Sequence, residues 1–164
     1  MNFSTFILRL LDAQFMKNTV IIIPTRLKAK RFPNKPLAKI NNVPMIVHVM
    51  NRAKESNIGE VFVATPDIEI INIIKDNGGQ AFLTQNDHLV GSDRVYEIYL
   101  KKIKNNVDLI INLQGDMPNI KPNAISKLKI LMENSNCDIG TLASDIVDNE
   151  EITNPNIVKV HTEQ

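Results

Sequence analysis

The apolar positions of this chain fall into short solid runs separated by helically spaced stripes. Val20 to Ile23 is a four-residue apolar run closed by Pro24, the pattern of a strand buried on both faces. Leu37 to Val43 reads as a short strand entering a turn at Asn41-Asn42. Met45, Ile46, Val49, Met50 and Ala53 then recur at helical spacing and predict a helix from Met45 to Ser56, with Pro44 in its first turn, where a missing N–H costs little. Glu60 to Thr65 predicts a second buried strand. A helix from Pro66-Asp67 through Ile74 stops at Asn77-Gly78-Gly79, and Gln80 to Thr84 is a third strand. Ser92 is the expected N-cap of a helix running to Lys104. Val107 to Leu113 predicts a fourth buried strand, Asn123 to Asn134 a helix, and Asp138 to Ile146 and Ile157 to His161 two further strands.

Strand and helix patterns that alternate in this way predict an α/β fold of three layers with a mainly parallel sheet. At 164 residues the chain is long enough for one domain with a real core. With 43% hydrophobic and 23% charged residues it has the composition of a soluble globular protein, and no apolar run reaches the length of a membrane span. The single cysteine, Cys137, allows no intramolecular disulfide framework or metal cluster and fits a reducing, cytoplasmic setting. Residues 1–17 form an N-terminal extension without the basic start and cleavage site of a signal peptide. It reads as a short amphipathic helix or as sequence upstream of a start at Met16, the reading preferred. Residues 18–164 form the domain proper.

Charge changes the picture at one place. The whole chain carries a net charge of only +1, yet Arg26, Lys28, Lys30, Arg31, Lys35 and Lys39 crowd the segment after the first strand with no acid among them. Mutual repulsion of such a group is relieved by an anionic ligand. In open α/β sheets the crevice beyond the strands' carboxyl ends is where ligands bind. Pro24, Pro33 and Pro36 stiffen this loop, which favours a polyphosphate site over a merely solvated basic loop. Asp116 follows the fourth strand in Gln114-Gly115-Asp116-Met117-Pro118. It reads either as an Asx-type turn residue before Pro118 or as a carboxylate that shares Mg²⁺ with phosphate oxygens. No Ser-His-Asp or Cys-His nucleophile arrangement is evident. His48 reads as structural.

The loop Arg26-x-x-x-x-Arg31-x-Pro33-x-Lys35-Pro36-Leu37 resembles the signature of the 3-deoxy-manno-octulosonate cytidylyltransferases, the CMP-Kdo synthetases of Gram-negative lipopolysaccharide biosynthesis. Further stretches are similar to that family in the same order. They are Pro44 to Val49, Ala64-Thr65-x-Asp67, Asp87-His88-x-x-Gly91-Ser92-Asp93-Arg94, Gln114-Gly115-Asp116-x-Pro118 and Asn154-Pro155-Asn156-x-Val158-Lys159-Val160. An ordered set is far more specific than any one motif.

The resemblance implies a nucleotide-diphospho-sugar transferase-like (Rossmann-like) fold and an enzyme that joins CTP to 3-deoxy-D-manno-octulosonate (Kdo), giving CMP-Kdo and pyrophosphate. It implies that Arg26, Arg31 and Lys35 contact the triphosphate and that Asp116 holds Mg²⁺. Pro24, Thr25, Ala64, Asp67, Gly91, Ser92, Asp93, Arg94 and Gln114 would line the nucleotide and substrate sites, and His88 gains a functional reading through its motif. Neither nucleic acid nor membrane is an expected partner. Three positions depart from the family pattern: Asn34 stands for a glycine, Val90 for a serine and Met117 for a glutamate. Family members also continue beyond Gln164. The expectation is therefore an incomplete cytidylyltransferase domain without the C-terminal part, in which a late aspartate, sugar-binding residues and the elements of the family's homodimer would be missing. Two alternatives stay open: a nucleotide-binding fragment that is inactive or partner-dependent, and a cytidylyltransferase for another sugar acid such as a sialic acid. The Pro-x-Lys-Pro-Leu ending of the loop argues for the Kdo branch.

Overall fold

Strand β1 (Thr19–Pro24) is the centre of the molecule, and all six of its residues are buried. The computed structural model describes residues 18–28, 32–104, 106–155 and 157–160. The N-terminal extension, Arg31 and His161 lie outside the described residues.

β1 is flanked on one side by β4 (Glu60–Thr65) and on the other by β6 (Leu109–Asn112), with β5 (Gln80–Leu83) beyond β4. The order β5-β4-β1-β6 is parallel throughout, as the buried apolar runs predict. Register places Ile22 opposite Phe62 on one side and Asn112 on the other. Side chains of β1 alternate between two cores. Ile21 and Ile23 pack with Ile46 and Val49 of α1 (Met45–Glu55), Ile70 and Ile74 of α2 (Ile68–Asp76) and Ile125 of α4 (Pro122–Glu133). Val20 and Ile22 pack on the opposite face with Val95 and Ile98 of α3 (Gly91–Ile98). Helices on both faces of a parallel sheet give the three layers expected from the sequence.

Several boundaries differ from the sequence reading. Leu37 to Val43 is not one strand. Lys35–Leu37 forms a 3₁₀ turn, and β2 (Lys39–Ile40) pairs antiparallel with β3 (Val43–Pro44) around Asn41 and Asn42, both at positive φ. Pro44 ends β3 and precedes α1 instead of opening it. His48 is structural as expected, its Nε2 donating to Ile40 O at 2.9 Å. Asp67 precedes α2 as its N-cap residue. α3 begins at Gly91, with Val90 rather than Ser92 at the N-cap, and passes at Tyr99 into a π-type turn through Ile103.

The two late strands expected over 138–146 and 157–161 are absent among the described residues, where only a short helix α5 (Asn149–Thr153) forms. The apolar pattern there is real, but the segment makes no ladder with the edge strand β6. Ile139 and Leu142 stay exposed near the edge of β6, and Ile146 and Val147 are exposed as well.

Because β1 is buried from both sides, Ile22→Ala and Ile23→Ala should each cost about 2–5 kcal/mol. Urea unfolding checks this. A neutral substitution at either position would mean that one face of the sheet is open.

Candidate active site

The chain changes direction across the sheet at β1. It steps from β1 to β4 and β5 on one side, then returns to place β6 on the other. Such a reversal leaves a crevice at the carboxyl ends of the two strands where their following loops diverge. Here those loops are Thr25-Arg26 after β1 and Gln114-Gly115-Asp116 after β6. They border a cleft of about 250 Å³ closed by Lys35, Pro36 and Met45 on one side and by His88, Val90, Gly91 and Arg94 on another.

The loop after β1 is built to turn back on itself. Thr25 N donates to Ala64 O at 3.0 Å, and Leu27 N donates to Asp67 Oδ2 at 2.8 Å, so β4 and its exit hold the loop's first residues. Asn34 N closes the loop by donating to Leu27 O at 3.0 Å. Asn34 itself sits at φ 58°, a left-handed conformation that glycine or asparagine tolerates. The 3₁₀ turn follows at once and swings Lys35 back over the cleft, where its Nζ meets Asp116 Oδ2 at 2.7 Å. On the facing loop, a Cβ on Gly115 would lie 3.1 Å from both Pro24 O and Thr25 Cβ. The glycine is what lets the β6 loop approach β1 closely enough to present Asp116.

Lys35 and Asp116 are 39% and 52% exposed, so their attraction adds little stability. A pair this accessible separates readily when phosphate reaches the lysine and a cation reaches the carboxylate.

The far wall is cationic and much less accessible. Arg94 is buried, and donates from Nη1 to Thr84 Oγ1 and, at 2.8 Å, to Gln85 O. Burial, and then the nearby Arg26 guanidinium, both lower its pKa. Among the described residues no carboxylate forms an ion pair with it. Two converging guanidiniums beside a lysine form a site complementary to a multiply charged anion. The first turn of α3 adds to this. Asp93 Oδ2 accepts from Val90 N at 3.4 Å, but Val90 has no side-chain oxygen to cap the helix in return. The first N–H groups of α3 therefore lack that side-chain cap beside the cleft.

Not every residue expected at the site lines the cleft. Pro24, Thr25, Arg26, Lys35, Gly91, Arg94, Gln114 and Asp116 do. Ala64 and Asp67 are outside the lining and hold the loop through the Ala64 carbonyl and the Asp67 carboxylate. Asp93 turns back to the N–H of Val90 at the start of α3, and Ser92 is exposed on that helix outside the lining. Arg31 lies outside the described residues. Pro36, Met45 and Val90 line the cleft although the sequence reading passed over them as site residues. Met45 is also part of the buried core.

Mg²⁺ fits the donor set in one way only. Among the described residues no group of three His, Cys, Asp or Glu side chains could hold a metal. Asp116 is a single accessible carboxylate facing cations, which suits an ion that arrives on phosphate oxygens and keeps several waters.

Sheet, flanking helices and cleft together define an α/β domain of the nucleotidyltransferase-like, Rossmann-related type. A family model described as cytidylyltransferase matches residues 20–164. The chain belongs to the cytidylyltransferase family. It is 44% identical over 148 residues to a 3-deoxy-manno-octulosonate cytidylyltransferase of Brucella canis, covering 90% of this chain and 59% of that protein. A protein of the same description from Rhodopseudomonas palustris is 43% identical over 143 residues, or 87% of this chain and 58% of that one. Among solved structures, CMP:2-keto-3-deoxy-manno-octonic acid synthetase complexed with CTP superimposes with a TM-score of 0.67 at 41% identity, covering 71% of this chain and 48% of that chain. The chain thus spans somewhat under three-fifths of the length of the curated relatives it matches.

Behind the cleft, α3 also carries Glu97, a buried carboxylate. Its Oε2 accepts from Gln85 N at 3.0 Å and from His88 Nε2 at 2.6 Å, and its Oε1 accepts from Lys101 Nζ at 2.5 Å. Burial alone pushes this carboxyl up, but the bonds from Lys101, His88 and Gln85 outweigh it and bring the pKa from 4.5 to about 2. A depressed carboxyl stabilises the fold above its unfolded pKa, and that stability is lost as pH falls toward the folded value. Glu97 should therefore contribute on the order of 3 kcal/mol at neutral pH, fading between about pH 4.5 and pH 2. Urea midpoints measured across that window should fall more steeply for the native chain than for Glu97→Gln. Parallel slopes would contradict the assignment.

Proposed function

We propose that the protein transfers CMP from CTP to Kdo, giving CMP-Kdo and pyrophosphate, and so activates Kdo for lipopolysaccharide synthesis. The observation that carries this reading is the meeting of Lys35 and Asp116 at 2.7 Å across the mouth of a cleft walled by Arg26 and Arg94. Cations and an accessible carboxylate are the two things a metal–triphosphate needs at once. The names of the relatives and the CTP complex of the solved neighbour support the nucleotide and the sugar acid.

In this scheme the triphosphate displaces the Lys35–Asp116 pair. Lys35 and Arg26 neutralise the phosphates, and Arg94 holds charge from the buried side. The anomeric hydroxyl of Kdo attacks the α-phosphorus, the bond to the bridging oxygen breaks, and pyrophosphate leaves among fixed cations that stabilise its growing charge. Bound at Asp116, Mg²⁺ would supply electrostatic stabilisation to the same oxygens. Positioning by the rigid strand ends, rather than a covalent nucleophile, provides the rest. CTP chemistry and a lone cysteine fit the cytoplasm.

A second reading, nucleotide binding without turnover by this chain alone, is favoured by one observation. The edge of β6 and the exposed apolar residues Ile139 and Leu142 beside it have no covering element among the described residues. Pyrophosphate release with Kdo separates the two readings, since the second predicts CTP binding with none.

Asp116→Asn should leave the melting temperature of the ligand-free protein nearly unchanged, because its ion pair is exposed. The same change should raise the Mg²⁺ concentration that supports half-maximal CTP binding by at least about tenfold. Calorimetric titration measures the second effect and thermal denaturation the first. A large loss of stability with unaltered Mg²⁺ dependence would make Asp116 a turn residue.

A further inference from the structure

Glu97 does not line the cleft, yet two of its three hydrogen-bond partners belong to the segment that borders it. It fixes the segment between β5 and α3 at two points, the Gln85 N–H and the His88 imidazole. Arg94 takes the same segment from the other side through Gln85 O. His88 in turn presents its own carbonyl to the cleft, where Arg26 Nη1 donates to it at 3.3 Å. Side chain, ring and carbonyl form a continuous path from a buried anion on α3 to the first cation of the β1 loop.

Arg26 needs such support. Its neighbour Arg94 repels it, and the exposed loop leaves a long side chain free to swing into solvent. The His88 carbonyl is a neutral acceptor that holds the guanidinium over the cleft without cancelling its charge. A carboxylate in that place would have competed with phosphate.

We infer that Glu97 is a positioning residue for nucleotide binding, acting through His88 to hold Arg26 at the cleft. This rests on the nucleotide reading above. Glu97 touches no ligand itself. The segment it anchors sets where one phosphate-binding cation stands before the nucleotide arrives, which lowers the ordering cost of binding.

The test is a thermodynamic cycle on CTP–Mg²⁺ affinity, run by calorimetry at a temperature where each variant shows a folded circular dichroism spectrum. Glu97→Gln should weaken CTP binding about tenfold. His88→Ala, which breaks the same path at the ring, should weaken it to a similar degree. In an Arg26→Ala background neither change should cost further affinity, because the residue they act on is gone. A simple loss of stability would instead weaken binding equally in both backgrounds, and that result, or unaltered affinity in Glu97→Gln and His88→Ala, overturns the inference. Failure of the native chain to bind CTP would overturn the nucleotide reading, and with it any role in CTP binding. The anchor itself is then judged separately by nitrogen NMR of the His88 ring. A hydrogen-bonded Nε2–H signal present in the native chain and lost in Glu97→Gln supports the anchor, and its absence from the native chain refutes it.

Discussion

The burial of β1 on both faces and along both edges is the constraint from which the rest follows. A strand held by β4 and β6 in parallel register, with Ile21 and Ile23 in one core and Val20 and Ile22 in the other, has no freedom to shift. Its carboxyl end is therefore a fixed point. Whatever the chain places directly after it, here Thr25 and Arg26, is aimed at the crevice between the diverging loops. β6 delivers Asp116 to the same crevice from the other side, and Gly115 permits the approach.

That placement puts an ion pair at accessible positions and a buried guanidinium, Arg94, close to the exposed Arg26. Lys35 and Asp116 are exposed and paired, so they exchange partners at little cost. Arg94 is buried among neutral hydrogen-bond acceptors, so it cannot relax away from Arg26. The deep end of the cleft thus carries fixed positive charge and the mouth carries a replaceable ion pair. Preorganised charge of this kind is what a triphosphate site requires, because the protein does not reorganise during the reaction.

Much of this was legible in the residues. Solid apolar runs located β1, β4 and β6, and helical stripes located α1 and α2, because burial on two faces or on one stripe leaves no other pattern. The excess of cations between Arg26 and Lys39 pointed to the crevice, and Asn34 did take the left-handed conformation that its place in the loop requires. Other features could not be read. Asp138 to Ile146 has the composition of a strand, but pairing is not fixed by composition, and among the described residues this segment joins no ladder. Ala64 and Asp67 looked like site residues, yet they act from outside the lining through Thr25 and Leu27. Glu97 gave no signal, since a lone glutamate on a helix reads as a solvated face. Its only trace was its spacing of three from Arg94, which puts both side chains on the same buried side of α3.

The central claim is that the crevice recognises phosphate charge. The most direct measurement is a calorimetric comparison of CMP, CDP and CTP with Mg²⁺ at fixed ionic strength. Affinity should climb with each phosphate, with CTP binding at least about a hundredfold tighter than CMP, and the difference should shrink as salt is raised. Equal affinities for the three nucleotides, or a preference for CMP, would contradict the account and leave the cations of the β1 loop a solvated surface.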